Sequence, residues 1–219
     1  MSVLDLVNYG NPILRKKCNQ VTNFPQLSDL IDDMFDTMYE EEGIGLAANQ
    51  VGVDMNLFII DISHSDDYVF PMTFFNGEIT SSRGESVFSE GCLSIPEVAL
   101  EVTRPEMILF KYQDIHEKWY EEEFDGLLAR AIQHEIDHLN GVLIIDLVSE
   151  MQRLKVNKEV KRIKKTKDSR LNKRRNKSEP DLWKEIRSNW KEIRLSLKPL
   201  GKAYNKFKGK RKIAKEKDC

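Results

Sequence analysis

The stretch Gln133-His134-Glu135-Ile136-Asp137-His138 constrains this chain more than any other. Residues four apart on an α-helix share a face, so the two imidazoles reach one divalent cation only if the segment is helical. Glu135 then lands beside the open coordination position, the arrangement in which a metal-activated water attacks a carbonyl. The plain alternative is a chance HExxH on a surface helix, with all three side chains solvated.

A catalytic site of the zinc type takes three protein ligands and keeps a fourth position open, so a third ligand must lie elsewhere in the chain. His64 sits among Ser63, Ser65 and Asp66, and His116 follows Asp114 in an expected hairpin turn. Both read as solvated loop residues. Cys92 is the better candidate: in Ser89-Glu90-Gly91-Cys92-Leu93-Ser94 a glycine lets the backbone approach closely, and no second cysteine is near enough to pair. A lone cysteine is by default a small buried hydrophobe, and spacing alone leaves both readings open.

A third segment, Gly43-Ile44-Gly45-Leu46-Ala47-Ala48-Asn49-Gln50, superficially fits the G-x-G-x-x-A dinucleotide fingerprint. That fingerprint must follow a strand and open a helix, whereas this one follows a helical pattern and leads toward a strand. It reads instead as a tight small-residue turn. Gln50 at its end is either a surface amide or a donor pointed into a cleft.

Coarse periodicity places these segments. Over residues 24–39 the side chains Leu27, Leu30, Ile31, Met34 and Met38 recur at helical spacing, and Gly43 and Gly45 follow as a break. Residues 55–62 and 69–75 are nearly continuous apolar runs of strand length. Val98, Leu100 and Val102 alternate, and 107–112 and 119–124 read as strands flanking a turn at Gln113-Asp114. From 125 to 139 the period is helical, with Leu128, Ile132, Ile136 and Leu139 apolar, His134 and His138 in line with Leu127 and Ala131, and Asn140-Gly141 as the stop. The order predicts an α+β fold: mostly antiparallel sheets packed around a central metal-binding helix, with a helical basic C-terminal extension.

Charge is divided unevenly. Residues 1–150 hold 8 Lys+Arg against 28 Asp+Glu, a net of −20, and residues 151–219 hold 26 against 8, a net of +18. Three widely separated cysteines, Cys18, Cys92 and Cys219, argue against a disulfide framework and for a reducing compartment, the cytoplasm. The first ten residues lack a basic and an apolar signal region, and no run approaches the length that spans a bilayer, so no stable membrane insertion is expected.

GIGLAANQ, EGCLS and QHEIDHLNG occur in that order, and together they resemble the three signature motifs of bacterial peptide deformylase. The resemblance spans residues 1–165, including GNPILR and GLLARAIQHE. It departs at Phe75-Asn76-Gly77-Glu78, where the family usually has proline at the third place, and this puts the local strand-end geometry in question. The resemblance implies that Cys92, His134 and His138 hold the metal, natively Fe(II), with Ni(II), Co(II) or Zn(II) able to replace it. It further implies that Glu135 is the general base and acid, and that the Leu93 N–H and the Gln50 amide share the oxyanion. Gly45 and Gly91 would contact the peptide, and Ile44 and Leu127 would wall the methionine pocket. The implied substrate is an N-formylmethionyl nascent peptide, hydrolysed to formate and a free amine.

The resemblance also implies a catalytic unit over 1–168 whose closing helix, about 149–167, touches the ribosome. In that helix Leu147, Met151, Leu154, Val156, Val160 and Ile163 are apolar and Arg153, Lys155, Lys158, Lys161 and Arg162 basic. Residues 169–219 lie outside the resemblance: a charged linker at 169–177, an amphipathic stretch carrying Trp183, Ile186, Trp190, Ile193 and Leu197, and a lysine-rich end. The extension reads as an anchor for the ribosome or rRNA, with an anionic membrane surface as the lesser option. Two other readings of the whole chain stand beside the deformylase. One is a thermolysin-like protease with a downstream carboxylate ligand, for which Glu159 is the main candidate; the other is a ribosome-associated deformylase-like protein with little or no turnover.

Overall fold

The computed structural model describes residues 2–63 and 70–165. His64 and the expected linker, amphipathic stretch and lysine-rich end between 169 and 219 lie outside the described residues.

The four apolar residues of strand β2, Leu57–Ile60, are all withdrawn from solvent, which requires cover on both faces of the strand. Leu57 and Ile59 pack with Ile31, Met34, Phe35 and Met38 of helix α1 (Ser28–Glu40). Phe58 and Ile60 pack with Ala131, Ile132 and Ile136 of helix α2 (Gly126–Leu139). The sheet therefore lies between two helices. It is antiparallel and five-stranded, in the order β1 (Gly45–Ala47), β2, β3 (Met72–Arg83), β6 (Met107–Gln113), β7 (Trp119–Asp125). A separate hairpin is formed by β4 (Ser86–Cys92) and β5 (Ile95–Arg104). The α+β expectation, with antiparallel sheets around the HExxH helix, holds.

Three local readings need correction. The GIGLAANQ segment is not simply a turn: Gly45–Ala47 pairs with β2 as a short edge strand, and Ala48–Val51 then closes as a 3-10 helix. Small side chains gave no period-2 signal there. Ser86–Cys92 is a strand that its sequence does not announce, because most of its side chains face solvent and it alternates no apolar residues. Asn76-Gly77 is not a strand end. β3 runs on to Arg83 through an irregular register, with Asn76 at φ 52°. A Cβ at Gly77 would sit 2.5 Å from Phe110 Cζ and 3.1 Å from Ile136 Cδ1, so glycine is what lets the core close over this bulge.

Helix α2 stops where the sequence indicated: the Asn140 N–H reaches Ile136 O at 3.0 Å, and Gly141 takes φ 75°. Helix α3 (Glu150–Lys165) docks against β5 through Val160 and Ile163, in one cluster with Ile95, Val98 and Leu100. The apolar residues of this segment are split between two faces. Met151 and Leu154, 72% and 62% exposed, point away from the body, because they lie about a third of a turn or more from Val160 and Ile163 around the axis.

Candidate metal centre

His134 and His138 stand one turn apart on α2 with ring centroids 5.0 Å apart, and both rings are largely enclosed. Cys92 closes β4, immediately before the two-residue turn Leu93-Ser94 that leads into β5. This turn carries the sulfur to the helix: Cys92 Sγ lies 3.2 Å from His138 Nε2, and one ligand atom from each of the three residues falls within 4.8 Å of the others. A thiol and two imidazoles held that close suit a divalent first-row cation, and the three donors leave a coordination position free. His116 remains an exposed turn residue whose N–H bonds Asp114 Oδ1 at 2.8 Å. Glu159 belongs to α3, where it accepts from Arg162 at 2.9 Å; the group of metal-ligating side chains found among the described residues does not include it.

The electrostatics sort the neighbours by role. Burial pushes His138 well below its ordinary value, helped by the charges of His134 and Arg104, so it stands as the neutral imidazole that binds metals. Burial also raises Glu135 to about 7, against the pull of His134 and Arg104. Glu135 Oε2 is buried with no hydrogen-bond partner. A carboxyl in that condition takes and returns protons near neutral pH.

Gln50 answers the question its sequence position left open. Its Oε1 accepts from the Ala47 N–H at 2.8 Å, and this turns its amide Nε2 toward Ser94 Oγ at 3.3 Å, with Cys92 Sγ at 3.9 Å. Gln50 is thus a buried donor facing the site. Its neighbour Asn49 is also fully buried and donates to the His138 carbonyl at 2.5 Å, tying the segment to the end of the metal helix. Leu93 is partly buried beside Ile59 and Met38, while Ile44 packs against the α2 cluster. Gly91 and Leu127 are exposed at the hairpin and at the first turn of α2.

Gly45 has a role beyond the one expected of it. A Cβ there would fall 3.1 Å from Glu135 Cδ and closer still to its Oε1. Glycine is what makes room for the carboxyl. Gly45→Ala is expected to displace Glu135 and lower turnover by on the order of 10²-fold, with circular dichroism unchanged; wild-type turnover would show that the carboxyl has space to spare.

Sequence reasoning passed over the ionic cluster behind the histidines. Glu90 accepts from Arg104 at 2.7 and 2.9 Å and from Arg130 at 2.5 Å, and its Oε2 lies 3.2 Å from His134 Nδ1. Arg104 also reaches Asp137 Oδ2 at 2.7 Å. Burial opposes ionisation of Glu90, yet the bonds from His134 and Arg104 outweigh it and bring the carboxyl down to about 2. Glu90 is two residues before Cys92 and Asp137 lies inside HEIDH, so both were in view. Nothing in the sequence marked Arg104.

A cysteine sulfur, two imidazoles from an HExxH helix and a carboxyl with one buried, unpartnered oxygen, set in an α+β frame, define a metal-dependent hydrolase of the amide-cleaving class. The family model for polypeptide deformylases matches residues 3–154, and the chain belongs to that family. It is accordingly an enzyme that uses a metal to remove the formyl group from the N-terminus of nascent polypeptides. Over 169 residues the chain is 44% identical to the peptide deformylase of Mesorhizobium japonicum, spanning 76% of this chain and 96% of that one. The crystal structure of a peptide deformylase from Legionella pneumophila matches with a TM-score of 0.69 at 40% identity, over 74% of this chain and 96% of that one. The structure of a Synechococcus elongatus peptide deformylase in complex with actinonin matches with a TM-score of 0.67 at 42% identity, over 73% and 86%.

Proposed function

We propose that Cys92, His134 and His138 hold the metal and that Glu135 moves the proton during deformylation. The observation that carries this is the convergence of one sulfur and two ring nitrogens within 4.8 Å beside a buried carboxyl oxygen that lacks a partner. We assign Fe(II) as the native ion on the family resemblance, with Ni(II), Co(II) or Zn(II) as substitutes, since a mixed sulfur and imidazole set suits several first-row metals. A cation so held supplies a Lewis acid that acidifies a bound water and polarises the formyl oxygen.

The chain's own residues do the rest. Glu135 accepts a proton from the attacking water and returns it to the departing nitrogen. The Gln50 Nε2–H and the Leu93 N–H donate to the formyl oxygen as negative charge gathers on it. Gly45 and Gly91 receive the peptide backbone, and Ile44 and Leu127 wall the methionine side chain. Gln50→Ala is expected to lower kcat roughly 10²–10³-fold while the metal content stays at the wild-type level. Full activity in that variant removes Gln50 from the mechanism.

The direct test is formate release from formyl-Met-Ala-Ser. Turnover that stops with a chelator and returns with Fe(II) or Ni(II) supports the assignment, whereas a metal-loaded protein that releases no formate favours the reading without turnover. Actinonin, bound by the Synechococcus elongatus relative, is expected to inhibit.

The reaction belongs where formylated chains emerge, and we place the enzyme in the cytoplasm at the ribosome. Free thiols at Cys18 and Cys92 suit a reducing compartment. Exposed Arg153, Lys155, Lys158 and Lys161 on α3, together with the net +18 of residues 151–219, suit rRNA phosphates. No helix among the described residues is long and apolar enough to cross a membrane. Truncation after Lys167 is expected to weaken ribosome co-sedimentation, most visibly at low salt, and to leave turnover of a short formylated peptide intact. Unchanged co-sedimentation assigns the contact elsewhere.

A further inference from the structure

Arg130 belongs to the metal helix and touches neither the three ligands nor Glu135. It sits one turn before His134 and is 8% exposed. Its Nη1 donates to Glu90 Oε1 at 2.5 Å and to the Val102 carbonyl at 3.1 Å. Its Nη2 donates to the carbonyl of Ser86 at 2.9 Å and to its hydroxyl at 2.8 Å. One guanidinium therefore joins α2 to the start of β4, to the β4 residue two before Cys92, and to β5. The Phe88 ring lies over the guanidinium, 5.8 Å from Cζ to centroid, and shields this junction on the solvent side.

We propose that Arg130 is a positioning residue for the metal centre: it locks the hairpin that carries Cys92 onto the helix that carries His134 and His138, and it fixes the Glu90 carboxylate that orients His134. The inference rests on the assignment of those three ligands. Both oxygens of Glu90 are held in place: Oε1 takes Arg130 and Arg104 Nε, and Oε2 takes Arg104 Nη2 at 2.9 Å and stands 3.2 Å from His134 Nδ1. An Nδ1–H donated there leaves Nε2 of the same ring as the ligand atom. The hairpin and the helix share no backbone hydrogen-bond ladder, so the distance from sulfur to imidazole depends on side chains that bridge them, and Arg130 makes four such bonds. Lysine keeps the charge but presents three donors from a single point, and that point cannot serve a carboxylate, two carbonyls and a hydroxyl on three residues of two strands.

The test compares wild type, Arg130→Lys, Arg130→Met and, as a control for general loss of stability, Arg15→Lys. Arg15 pairs with Asp146 and bonds none of the three ligands, and its lysine variant keeps the charge that His138 feels. Each full-length protein is freed of metal and titrated with Co(II) against a competing chelator. The readouts are affinity, the thiolate-to-cobalt absorption band, and the melting temperature of the metal-free form. Both Arg130 variants are expected to bind Co(II) roughly 10–100-fold more weakly, with a shifted or weakened band, while Arg15→Lys binds as wild type does. In the metal-saturated Arg130→Lys enzyme kcat falls and KM for the formyl peptide stays within about twofold. If Arg130→Met does not fold, Arg130→Lys decides. Wild-type cobalt affinity and spectrum in Arg130→Lys overturn the proposal, as does an equal loss in Arg15→Lys. Wild type that binds no Co(II) overturns the ligand assignment and this proposal with it.

Discussion

Glu135→Gln is expected to lose turnover by roughly 10²–10⁴-fold while it retains its metal, since a positioned acid and base contributes that much to proton transfer. Gln keeps the shape of the side chain and cannot take the proton. Normal deformylation by this variant would place the base elsewhere. The same substitution should stabilise the metal-free protein, and the sign follows from the direction of the shift. Burial raises the Glu135 carboxyl from 4.5 to about 7. A carboxyl raised by folding imposes no penalty at acid pH, and its ionisation subtracts stability as pH climbs from about 4.5 through about 7. The whole difference is on the order of 3 kcal/mol, and the Gln variant does not carry it. In chelated protein its melting temperature should therefore gain on wild type between about pH 5 and about pH 8. A gap between the two that stays constant across this range would mean that the carboxyl is not raised by folding.

Glu90→Ala is expected to have the largest effect on stability. Arg104 and Arg130 have side chains 5% and 10% exposed, and both point at this carboxylate. Removing it strands two guanidiniums out of water, with Asp137 the remaining carboxylate partner of Arg104. Breaking a buried ion pair from one side costs about 3–5 kcal/mol, which for a unit of this size lowers the melting temperature by on the order of 10 °C. The loss of the Nδ1 partner of His134 should in addition weaken metal binding by roughly 10–100-fold. Calorimetry of the metal-free variant separates the two effects. A shift of less than about 1 kcal/mol would show that solvent reaches the arginines and that the cluster is not an obligatory one.

The elements legible in the sequence are those built by local rules. Helix α2 ended at Asn140-Gly141 as its residues indicated, and the strands at Leu57–Ile60 and Met107–Gln113 followed from their apolar content. What escaped had no local signature. Gly45–Ala47 is a strand only because β2 offers it an edge, and β4 is a strand only because β5 pairs with it. Val160 and Ile163 were distinguished from Met151 and Leu154 by where β5 lies, and hydrophobicity makes no such distinction.

At the site the same division holds. The sequence alone determined that two imidazoles and a carboxylate share one helix, because spacings of one and four residues translate directly into direction around a helical axis. It also ordered the three motifs, which identified the family. Tertiary structure decided that Cys92 completes the set, that Gln50 turns its amide inward, and that Glu90, Arg104 and Arg130 stand behind His134. Cys92 and His138 are 46 residues apart and meet only through the packing of a hairpin on a helix. Contacts of that range depend on which surfaces fit together, and no spacing along the chain encodes that fit.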